Sequence, residues 1–498
     1  MHIKKWEVAP LDRERAAQLA ERCSIPFFLA MLLEIRGFSS EAAVADLLSG
    51  GELGDPFSMK DMDKAVERIQ RALEDFEKIA VYGDYDADGV TATSILYTYL
   101  EAVGADVLYY IPQREGEGYG MNLGAVESLY HQGVSLIITV DNGIASVQEV
   151  ERARELGMDV VITDHHRPQA QIPSAYAVVD AYQPEDQSAF KDLCGAGVAL
   201  KLVMALEGEG APEILEEYAD LAALGTVADV VPVLGENRAI VKAGLRVLTR
   251  GGRAGVDALL EQSGMAGKEL SATSLAFTVI PRLNATGRMG APERAVRLLT
   301  CEGEEEAQAL SAEICEDNDL RKSVESKIAQ EAFAKIEGDP SLRYSRVLVV
   351  SGESWHHGVI GIVASRVMER YGKPCMVISL DGEMAKGSGR SVEGFSLFEA
   401  VCHCGELLER YGGHPMAAGI TLRAENVPLF REKINRYAQA VCPEMPAQVL
   451  RLDCRLNPAA LSAEMPQSLR PLEPFGSGNP QPLFGLYGME LREIVPVG

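Results

Sequence analysis

The feature that most constrains this 498-residue chain is a cluster of carboxylates where a strand pattern gives way to a helix pattern. Asp84, Asp86 and Asp88 lie between the apolar run 79–82 and a helical pattern that begins near Val90. Three carboxylates at this spacing cannot all leave water unpaired, because each uncompensated buried charge costs on the order of several kcal/mol. The stretch therefore predicts either a cation site at a strand end or an acidic turn at a helix N-terminus, where the helix dipole favours negative charge.

Residues 78–180 alternate short apolar runs with amphipathic helical stretches. Short, wholly apolar strands between helices are typical of a parallel sheet that is covered on both faces. Such sheets bind ligands beyond the carboxyl ends of their strands. The predicted strands are 79–82, 107–111, 136–140, 160–163 and 177–179, and the predicted helices between them are 91–103, 123–132 and 146–156.

Acidic groups follow three of these predicted strands. They are the stretch 84–88, Asp141 and the tripeptide Asp164-His165-His166. Because the carboxyl ends of parallel strands meet at one edge of a sheet, this arrangement favours a cation site over a simple acidic turn. Further along, Asp229 interrupts an apolar segment, and both helix capping and metal ligation are open for it.

Length and composition describe an ordinary globular protein. The length suggests about three domains, and no apolar run reaches the roughly 20 residues that span a membrane. The lysines at 4 and 5 precede no apolar signal core. Among the nine scattered cysteines only Cys402 and Cys404 are close, on a predicted helix over 397–411, and no second cluster completes a zinc site. We therefore predict reduced thiols, no membrane partner and a cytoplasmic location.

The net charge of −26 argues against a nucleic-acid partner. Non-specific affinity for nucleic acid comes from cations that neutralise phosphates. Net charge does not exclude a local basic groove, however, and bound metal ions invert the field of an acidic site. The question therefore depends on where the arginines lie.

Four acidic motifs occur in an order that resembles a known superfamily. Asp86-x-Asp88, Asp141, Asp164-His165-His166 and Asp229 are similar to the motifs of the DHH phosphoesterases, and within these the chain most resembles the RecJ exonucleases. The resemblance covers nearly the whole chain, so it does not depend on the tripeptide alone. The other matching segments are 111–114, 118–120, 281–288, 355–361, 386–391, 412–419 and 473–476.

The resemblance implies a two-metal phosphodiesterase. Carboxylate oxygens with one imidazole suit Mn²⁺ or Mg²⁺ better than zinc or copper. Two such ions can activate a water and stabilise the attacking and leaving oxygens of a phosphodiester. The implied ligands are Asp86, Asp88 and Asp141 for one ion, with Asp84 close by, and Asp141, His165 and Asp229 for the other. Asp164 would orient an imidazole, and His166 would face the scissile phosphate.

The same resemblance implies contacts with single-stranded DNA. Arg114, Ser388 and Arg390 would hold a 5′-terminal phosphate, while Arg282 and Arg288 would hold the backbone. These arginines would provide the local positive charge that a chain with a net charge of −26 needs to bind nucleic acid. Backbone amides of a glycine-rich turn at 387–389 would add hydrogen-bond donors for a phosphate. The full implied set of substrate-binding residues is Arg114, Tyr119, Arg282, Asn284, Arg288, His356, Ser388, Arg390, Gly412, Gly413 and His414.

The expected fold class is α/β, with a parallel-sheet catalytic domain joined by a long helix to a second α/β domain and a partial C-terminal OB-like β domain. The helix is predicted from apolar periodicity over 304–337, and a loop is predicted at 282–290. The expected domains are 1–75 (helical lobe), 76–300 (DHH catalytic), 301–340 (connecting helix), 341–442 (DHH-associated, substrate-binding) and 443–498 (start of an OB-fold). The expected later strands are 347–350, 375–378, 449–456, 482–486 and 489–493, with a helix over 360–371.

The leading hypothesis is a 5′→3′ exonuclease that degrades single-stranded DNA to 5′-mononucleotides in DNA repair and recombination. A runner-up is a DHH phosphodiesterase of short oligonucleotides or cyclic dinucleotides, which would lack the N-terminal lobe, the long helix and the OB-like start. A hypothesis from another class is a non-catalytic single-strand-binding adaptor, although every implied metal ligand is present. Single-strand-binding protein and a helicase are candidate partners.

Overall fold

The computed structural model describes residues 4–114, 116–208, 211–490, 492–493 and 495. The chain forms two compact units, each built from separated stretches. The first unit comprises Pro10–Asn318 and Asn457–Pro482, and the second comprises Met1–Ala9, Asp319–Leu456 and Leu483–Gly498.

The described elements are numbered here along the chain. The strands are β1 (Lys5–Val8), β2 (Ile79–Tyr82), β3 (Val107–Tyr110), β4 (Leu136–Val140), β5 (Asp159–Thr163), β6 (Ala177–Val179), β7 (Leu348–Glu353), β8 (Cys375–Asp381), β9 (Met384–Arg390), β10 (Leu408–His414), β11 (Ala417–Arg423), β12 (Val449–Leu452), β13 (Cys454–Arg455) and β14 (Phe484–Gly485). The helices are α1 (Arg13–Cys23), α2 (Phe27–Ile35), α3 (Glu41–Ser49), α4 (Met62–Glu74), α5 (Ala87–Ala102), α6 (Leu123–His131), α7 (Val147–Glu155), α8 (Gly195–Glu207), α9 (Ala211–Ala228), α10 (Gly235–Arg250), α11 (Ala254–Gln262), α12 (Ala272–Ser274), α13 (Ile280–Met289), α14 (Glu293–Thr300), α15 (Glu304–Gly338), α16 (Pro340–Arg343), α17 (His357–Tyr371), α18 (Leu397–Cys402), α19 (Val427–Val441) and α20 (Met465–Leu469).

The first unit is organised around a parallel sheet with the strand order β3-β2-β4-β5-β6. Every residue of β2 and β4 is buried, because helices cover both faces of the sheet. The predicted parallel sheet is therefore confirmed, and its five strands lie where the apolar runs indicated. The chain leaves β2 toward β3 on one side and returns to β4 on the other, so the sheet has a switch point between β2 and β4. In open sheets the ligand crevice lies beyond the carboxyl ends at such a point.

The segment predicted as a loop at 282–290 is mostly helix α13, so that prediction was wrong. One turn of π-helix, Leu275–Val279, precedes α13. The glycine at 287, which suggested a loop, is needed inside the helix for close packing. A Cβ at Gly287 would collide with the carbonyl oxygen of Tyr85, which lies in the turn after β2.

The C-terminal stretch of the first unit is anchored by Arg238 of α10, whose side chain is fully buried. Its guanidinium donates hydrogen bonds to the carbonyl oxygens of Pro471, Leu472, Glu473 and Pro474, and also to that of Leu47 in α3. One side chain therefore joins three parts of the chain that are far apart in sequence. Near the N-terminal end of the unit, Ser40 caps α3 by accepting a hydrogen bond from the Ala43 amide.

The second unit contains a mixed sheet with the strand order β10-β11-β9-β8-β7. Gly387 and Gly389 lie inside β9, which pairs with β11 on one side and β8 on the other. The prediction of a glycine-rich turn here was wrong, and the two amides belong to the sheet ladders instead of being presented to a phosphate. The glycines serve packing, because a Cβ at Gly389 would lie 2.6 Å from a methyl carbon of Leu397.

The predicted helix over 397–411 is also wrong beyond its first turns. Helix α18 ends at Cys402, and 408–414 forms strand β10. The predicted connecting helix over 304–337 is confirmed as α15, which contributes residues to both units. None of the nine cysteines forms a disulfide.

Strand β1 pairs in parallel with β12, although the N-terminal residues were expected to be helical. The β-rich C-terminal segment is present in part: β13 pairs in parallel with β14, within the predicted strands 449–456 and 482–486. The described residues of the predicted strand 489–493 form no strand, and Leu491 lies outside the described residues. No described helix is by itself long and apolar enough to cross a membrane, and only α1 and α2 together pass that test, across a bend of 120°.

Candidate metal centre

The turn after β2 places two carboxylates at the switch point of the parallel sheet. Asp86 is the N-cap of α5, and its Oδ1 accepts hydrogen bonds from the amides of Asp88 and Gly89, both at 3.0 Å. Asp84 is buried, and its Oδ1 has no hydrogen-bond partner among the described residues. An orphaned buried carboxylate oxygen is costly, so Asp84 is suited to a cation.

Asp88 is held by the N-terminus of α8. Its Oδ2 accepts a hydrogen bond from the Gly195 amide at 2.7 Å, and its Oδ1 accepts one from the Ala196 amide at 2.9 Å. Two amides at the start of α8 therefore hold both carboxylate oxygens of Asp88 in place. A Cβ at Gly195 would collide with Asp141, so only glycine allows α8 to start this close to both acids.

Asp141 follows β4 in the left-handed region, with φ +63°. Its Oδ1 lies 3.0 Å from His165 Nε2, and the Tyr119 hydroxyl donates to its backbone carbonyl at 2.9 Å. Left-handed backbone at a residue other than glycine is uncommon and clusters at functional sites. Asp141 is thus aimed into the cluster by an unusual turn that Tyr119 helps to hold.

Asp164 follows β5 and organises the two histidines. Its Oδ1 accepts hydrogen bonds from the amides of His165 and His166 and lies 2.8 Å from His166 Nδ1. Its Oδ2 accepts a hydrogen bond from the Ile144 amide at 2.9 Å. With both oxygens engaged, Asp164 orients the His166 ring, while the His165 ring points to other carboxylates.

His165 lies among three of those carboxylates. Its Nε2 is 3.0 Å from Asp141 Oδ1 and 3.7 Å from Asp88 Oδ2, and its Nδ1 is 3.7 Å from Asp229 Oδ2. Asp229 comes directly after α9. Asp229, at the end of a helix, therefore lies beside Asp88 and Asp141, which follow strands at the carboxyl edge of the sheet.

Three groups of side chains have ligand atoms within 4.8 Å of one another. The groups are Asp84, Asp86 and Asp141; Asp88, His165 and Asp229; and Asp141, His165 and His166. Asp86 is therefore grouped with Asp84 and Asp141, whereas the resemblance implied that Asp86 and Asp88 bind the same ion.

Burial and mutual repulsion shift the acids strongly. Burial, together with the charge of Asp86, raises the pKa of Asp84 to about 8. Burial, together with Asp88 and Asp86, raises the pKa of Asp229 to about 8, and the pKa of Asp141 is raised well above its ordinary value by burial and by Asp88. Carboxyl groups in this state bind protons unless a cation replaces them, so the donor set fits divalent ions that prefer oxygen ligands with one imidazole.

The two histidines differ in charge. Burial would lower the pKa of His166, but the hydrogen bond and charge of Asp164 outweigh it and raise the pKa to about 9. Burial lowers the pKa of His165 below its ordinary value despite the nearby Asp88. His166 is therefore an imidazolium at neutral pH, while His165 is neutral and able to bind a metal ion.

Three predicted substrate residues of the first unit lie against the turn after β2 or the histidines. The Asn284 side-chain oxygen accepts a hydrogen bond from the Ala87 amide at 3.0 Å, and the Arg114 guanidinium lies 5.1 Å from the centre of the Tyr85 ring. The Tyr119 hydroxyl is 3.1 Å from His166 Nδ1. Arg282 and Arg288 both lie on α13, and Arg282 Nε donates to Cys315 Sγ at 3.3 Å.

The remaining predicted substrate residues belong to the second unit. His356 is the N-cap of α17, and its Nδ1 accepts a hydrogen bond from the Gly358 amide at 3.1 Å. The Arg390 guanidinium donates to the Ser388 hydroxyl at 3.3 Å. Gly412, Gly413 and His414 are exposed at the end of β10.

Sequence reasoning missed one part of the centre and one buried acid that interacts electrostatically with Asp164 and His166. The first is the pair of α8 amides on Asp88, for which the small residues at 195–197 opening a helix were the available signal. The second is Asp180, a fully buried acid directly after β6. Its Oδ2 has no partner among the described residues, and burial raises its pKa to about 7. Its position after the fifth strand repeats the pattern that identified Asp84, Asp141 and Asp164.

Comparisons with known proteins agree with this geometry. A model of the DHH family, N-terminal domain, matches residues 78–226, a DHHA1 domain model matches 344–440, and a RecJ OB domain model matches 452–498. The single-stranded-DNA-specific exonuclease RecJ of Bacillus subtilis is 42% identical over 99% of this chain and 63% of its own length. The protein of the same name from Salmonella typhimurium is 35% identical over 95% of this chain and 86% of its own length.

A solved structure is similar over the whole fold. The crystal structure of RecJ from Thermus thermophilus in complex with Mn²⁺ has a TM-score of 0.85 and 34% identity, and the match covers 97% of this chain and 69% of that chain. The chain spans slightly less than two thirds of the Bacillus subtilis relative. Identity and coverage at this level, over all three matched domains, show that the chain belongs to the RecJ family of DHH proteins.

Proposed function

We propose that this chain is a metal-dependent exonuclease that degrades single-stranded DNA from its 5′ end to 5′-mononucleotides. The observation that carries the proposal is the convergence of Asp84, Asp86, Asp88, Asp141 and Asp229 with two histidines at one edge of the sheet. Membership of the RecJ family supports single-stranded DNA as the proposed substrate, because the matched members are named single-stranded-DNA-specific exonucleases.

The acids and His165 would hold two Mn²⁺ or Mg²⁺ ions. The groups in ligand reach of one another are Asp84 with Asp86 and Asp141, and Asp88 with His165 and Asp229. When bound, such ions supply Lewis-acid activation of a water and stabilisation of charge on the phosphate. Solved structures of RecJ from Thermus thermophilus are complexes with Mn²⁺ and with Mg²⁺, which supports the choice of metal.

His166 would act on the phosphate as a hydrogen-bond donor. As an imidazolium it donates from both ring nitrogens, and Nδ1 is occupied by Asp164 at 2.8 Å. Its Nε2 lies 3.3 Å from the Tyr119 hydroxyl, which a phosphate oxygen would replace. The positive charge would then stabilise the negative charge that develops during hydrolysis.

Polarity and strand choice would come from the basic residues. We assign Arg114, Ser388 and Arg390 to the 5′-terminal phosphate and Arg282 and Arg288 to the backbone, because guanidinium groups bind phosphate oxygens in a bidentate manner. His356, Gly412, Gly413 and His414 are proposed as further contacts, and the domain ranges given from the sequence remain part of the proposal. An exonuclease of DNA repair and recombination would work in the cytoplasm with single-strand-binding protein and a helicase.

The test uses the chain with Mn²⁺ and three substrates: a 5′-labelled single strand, a 3′-labelled copy and a blunt duplex. Asp141→Asn serves as the inactive variant, and Asp63→Ala, which removes an exposed acid of α4, serves as the matched control. We expect immediate release of labelled mononucleotide from the 5′-labelled strand, gradual shortening of the 3′-labelled strand and an intact duplex. Asp141→Asn should lose more than about a hundredfold in rate, since even second-layer partners of metal ligands cost about 10- to 100-fold.

Other outcomes would point elsewhere. Cleavage of dinucleotides or cyclic dinucleotides with survival of the long strand would replace the exonuclease by a small-substrate phosphodiesterase. Strand binding without cleavage in any metal would indicate an adaptor. Release of labelled mononucleotide from the 3′ end first would reverse the assignment of Arg114, Ser388 and Arg390.

A further inference from the structure

Phe277 is an exposed aromatic side chain on the helix that contacts the candidate metal centre. Its side chain is 80% exposed, whereas Leu275 and Val279 beside it are fully buried. Single exposed aromatic side chains are ordinary, and Phe76 and Tyr344 are others in this chain, so the position of Phe277 on this helix is what distinguishes it. The neighbours hold the helix on the core, so Phe277 contributes nothing visible to packing.

Phe277 lies in a local distortion of the helix. Pro281 has no amide hydrogen to donate to the Phe277 carbonyl, so the usual i to i−4 bond is missing at this turn. The chain forms a π-turn instead, in which the Ile280 amide donates to the Leu275 carbonyl five residues earlier. Single π-turns inside helices are frequent at functional sites.

The same helix reaches the candidate metal centre. Asn284 accepts a hydrogen bond from the Ala87 amide, and Gly287 packs against the Tyr85 carbonyl. Phe277 lies seven residues before Asn284, which corresponds to about 10 Å along a helix at about 1.5 Å per residue. Stacked nucleotides rise by about 3.4 Å each, so this distance corresponds to about three nucleotides.

We propose that Phe277 is a stacking platform for a base of the single-stranded substrate, about three nucleotides from the reacting phosphodiester. The inference rests on the proposed function and adds a binding contact to it. Every base offers a π face, so an aromatic contact of this kind tolerates any sequence. Arg282, which lies between Phe277 and Asn284 in the chain, would supply the cation that single-strand-binding grooves combine with aromatic rings.

The test compares Phe277→Ala, Phe277→Leu and Phe277→Trp on 5′-phosphorylated oligothymidylates of two to fifteen nucleotides with Mn²⁺. Loss of one stacked base should lower kcat/KM of Phe277→Ala on the long strands by about ten- to hundredfold. The effect should vanish for the two-nucleotide substrate, which ends before the platform. Tryptophan should restore activity on long strands, and leucine, which is apolar but has no π face, should not.

The matched control is Phe76→Ala. Phe76 is 86% exposed and precedes β2, at the amino edge of the sheet and away from the acids. Binding of the fifteen-nucleotide strand to Asp141→Asn, with and without Phe277→Ala, provides a readout that does not require turnover. The double variant should bind about tenfold or more weakly, and Phe76→Ala should match the unchanged protein in every assay.

Three results would overturn the inference. Equal loss on two-nucleotide and long strands would mean that Phe277 acts through α13 and not through a distant base. Full activity of Phe277→Leu, or unchanged kinetics of Phe277→Ala together with loss of binding to a protein partner, would make the side chain an apolar protein contact. If the unchanged chain neither binds nor cuts single strands, the proposed function itself fails, and that result is separate from any effect of Phe277.

Discussion

At the scale of single residues, the acids of the metal centre are tuned by one another. Asp84 and Asp229 have pKa values raised to about 8, against an ordinary value of 3.8. Between these two values the folded, ion-free protein binds more protons than the unfolded chain does. Its stability therefore falls as the pH rises from about 4 to about 8.

We predict that metal binding releases protons and reverses this trend. In EDTA the Tm should decrease from pH 6 to pH 8.5, and the rise in Tm caused by Mn²⁺ should be larger at pH 8.5, because fewer protons compete with the ion. Calorimetry at pH 7 in two buffers of different ionisation enthalpy should show release of about one proton or more. Asp229→Asn should release fewer protons than Asp63→Asn, and equal heats in both buffers would contradict the prediction.

The sequence predicted the acids better than their surroundings. Asp84, Asp141 and Asp164 were recognisable because each follows an apolar strand, and strand ends of a parallel sheet must meet. The two α8 amides on Asp88 depend on helix docking between residues more than 100 positions apart, which no local pattern encodes. The roles of the individual ligands stay predictions.

At the scale of elements, α13 positions the turn that carries the first acids. Asn284 of α13 accepts a hydrogen bond from the Ala87 amide, one of the donors at the start of α5 that have no partner within the helix. The segment reads as a loop from its glycines, but close packing against Tyr85 requires glycine inside the helix. The same error affected 387–389, where glycine allows dense packing inside a central strand.

We predict that Asn284→Ala loosens this turn. Loss of the hydrogen bond should cost about 1 kcal/mol of unfolding free energy, and the Mn²⁺ concentration for half-maximal activity should rise by about tenfold. Asn426→Ala is a suitable control, because Asn426 makes no side-chain cap bond at the start of α19. A lower Tm without any change in metal dependence would show that Asn284 is only structural.

At the scale of the whole molecule, Arg238 anchors the C-terminal stretch 457–482 through hydrogen bonds to four of its carbonyl oxygens. Burial lowers its pKa to about 10, so the guanidinium stays charged at neutral pH and needs its five carbonyl acceptors. No carboxylate lies within salt-bridge distance of Arg238 in the described part of the chain. Backbone carbonyls therefore carry the compensation for a buried charge.

We predict that Arg238→Met detaches the stretch 457–482 from α10. Several buried carbonyls would lose their donor, and the loss in unfolding free energy should exceed about 3 kcal/mol. Proteolysis within 457–482 should become faster under native conditions. Arg250→Met, which removes an arginine that is 64% exposed on the same helix, should change the free energy of unfolding by less than about 0.5 kcal/mol. Equal effects of the two substitutions would contradict the prediction.

Long-range pairing also explains what the sequence did not reveal at this scale. The N-terminal strand β1 pairs with β12, and the two are separated by more than 400 residues. Four residues of Lys5–Val8 show no burial pattern of their own, so only their partner identifies them as a strand. The α/β class, the parallel sheet and the long helix were predictable because each is encoded by a local period.

Because each unit is built from separated stretches of the chain, recombination of a single gene segment cannot exchange one whole unit without part of the other. The chain passes between units at residues 9/10, 318/319, 456/457 and 482/483, so no single stretch of coding sequence specifies either unit. Recombination that replaced the codons for 319–456 would pair the host's β1 with a foreign β12. The two units are therefore expected to diverge together along a lineage, and the gene should behave as one heritable block.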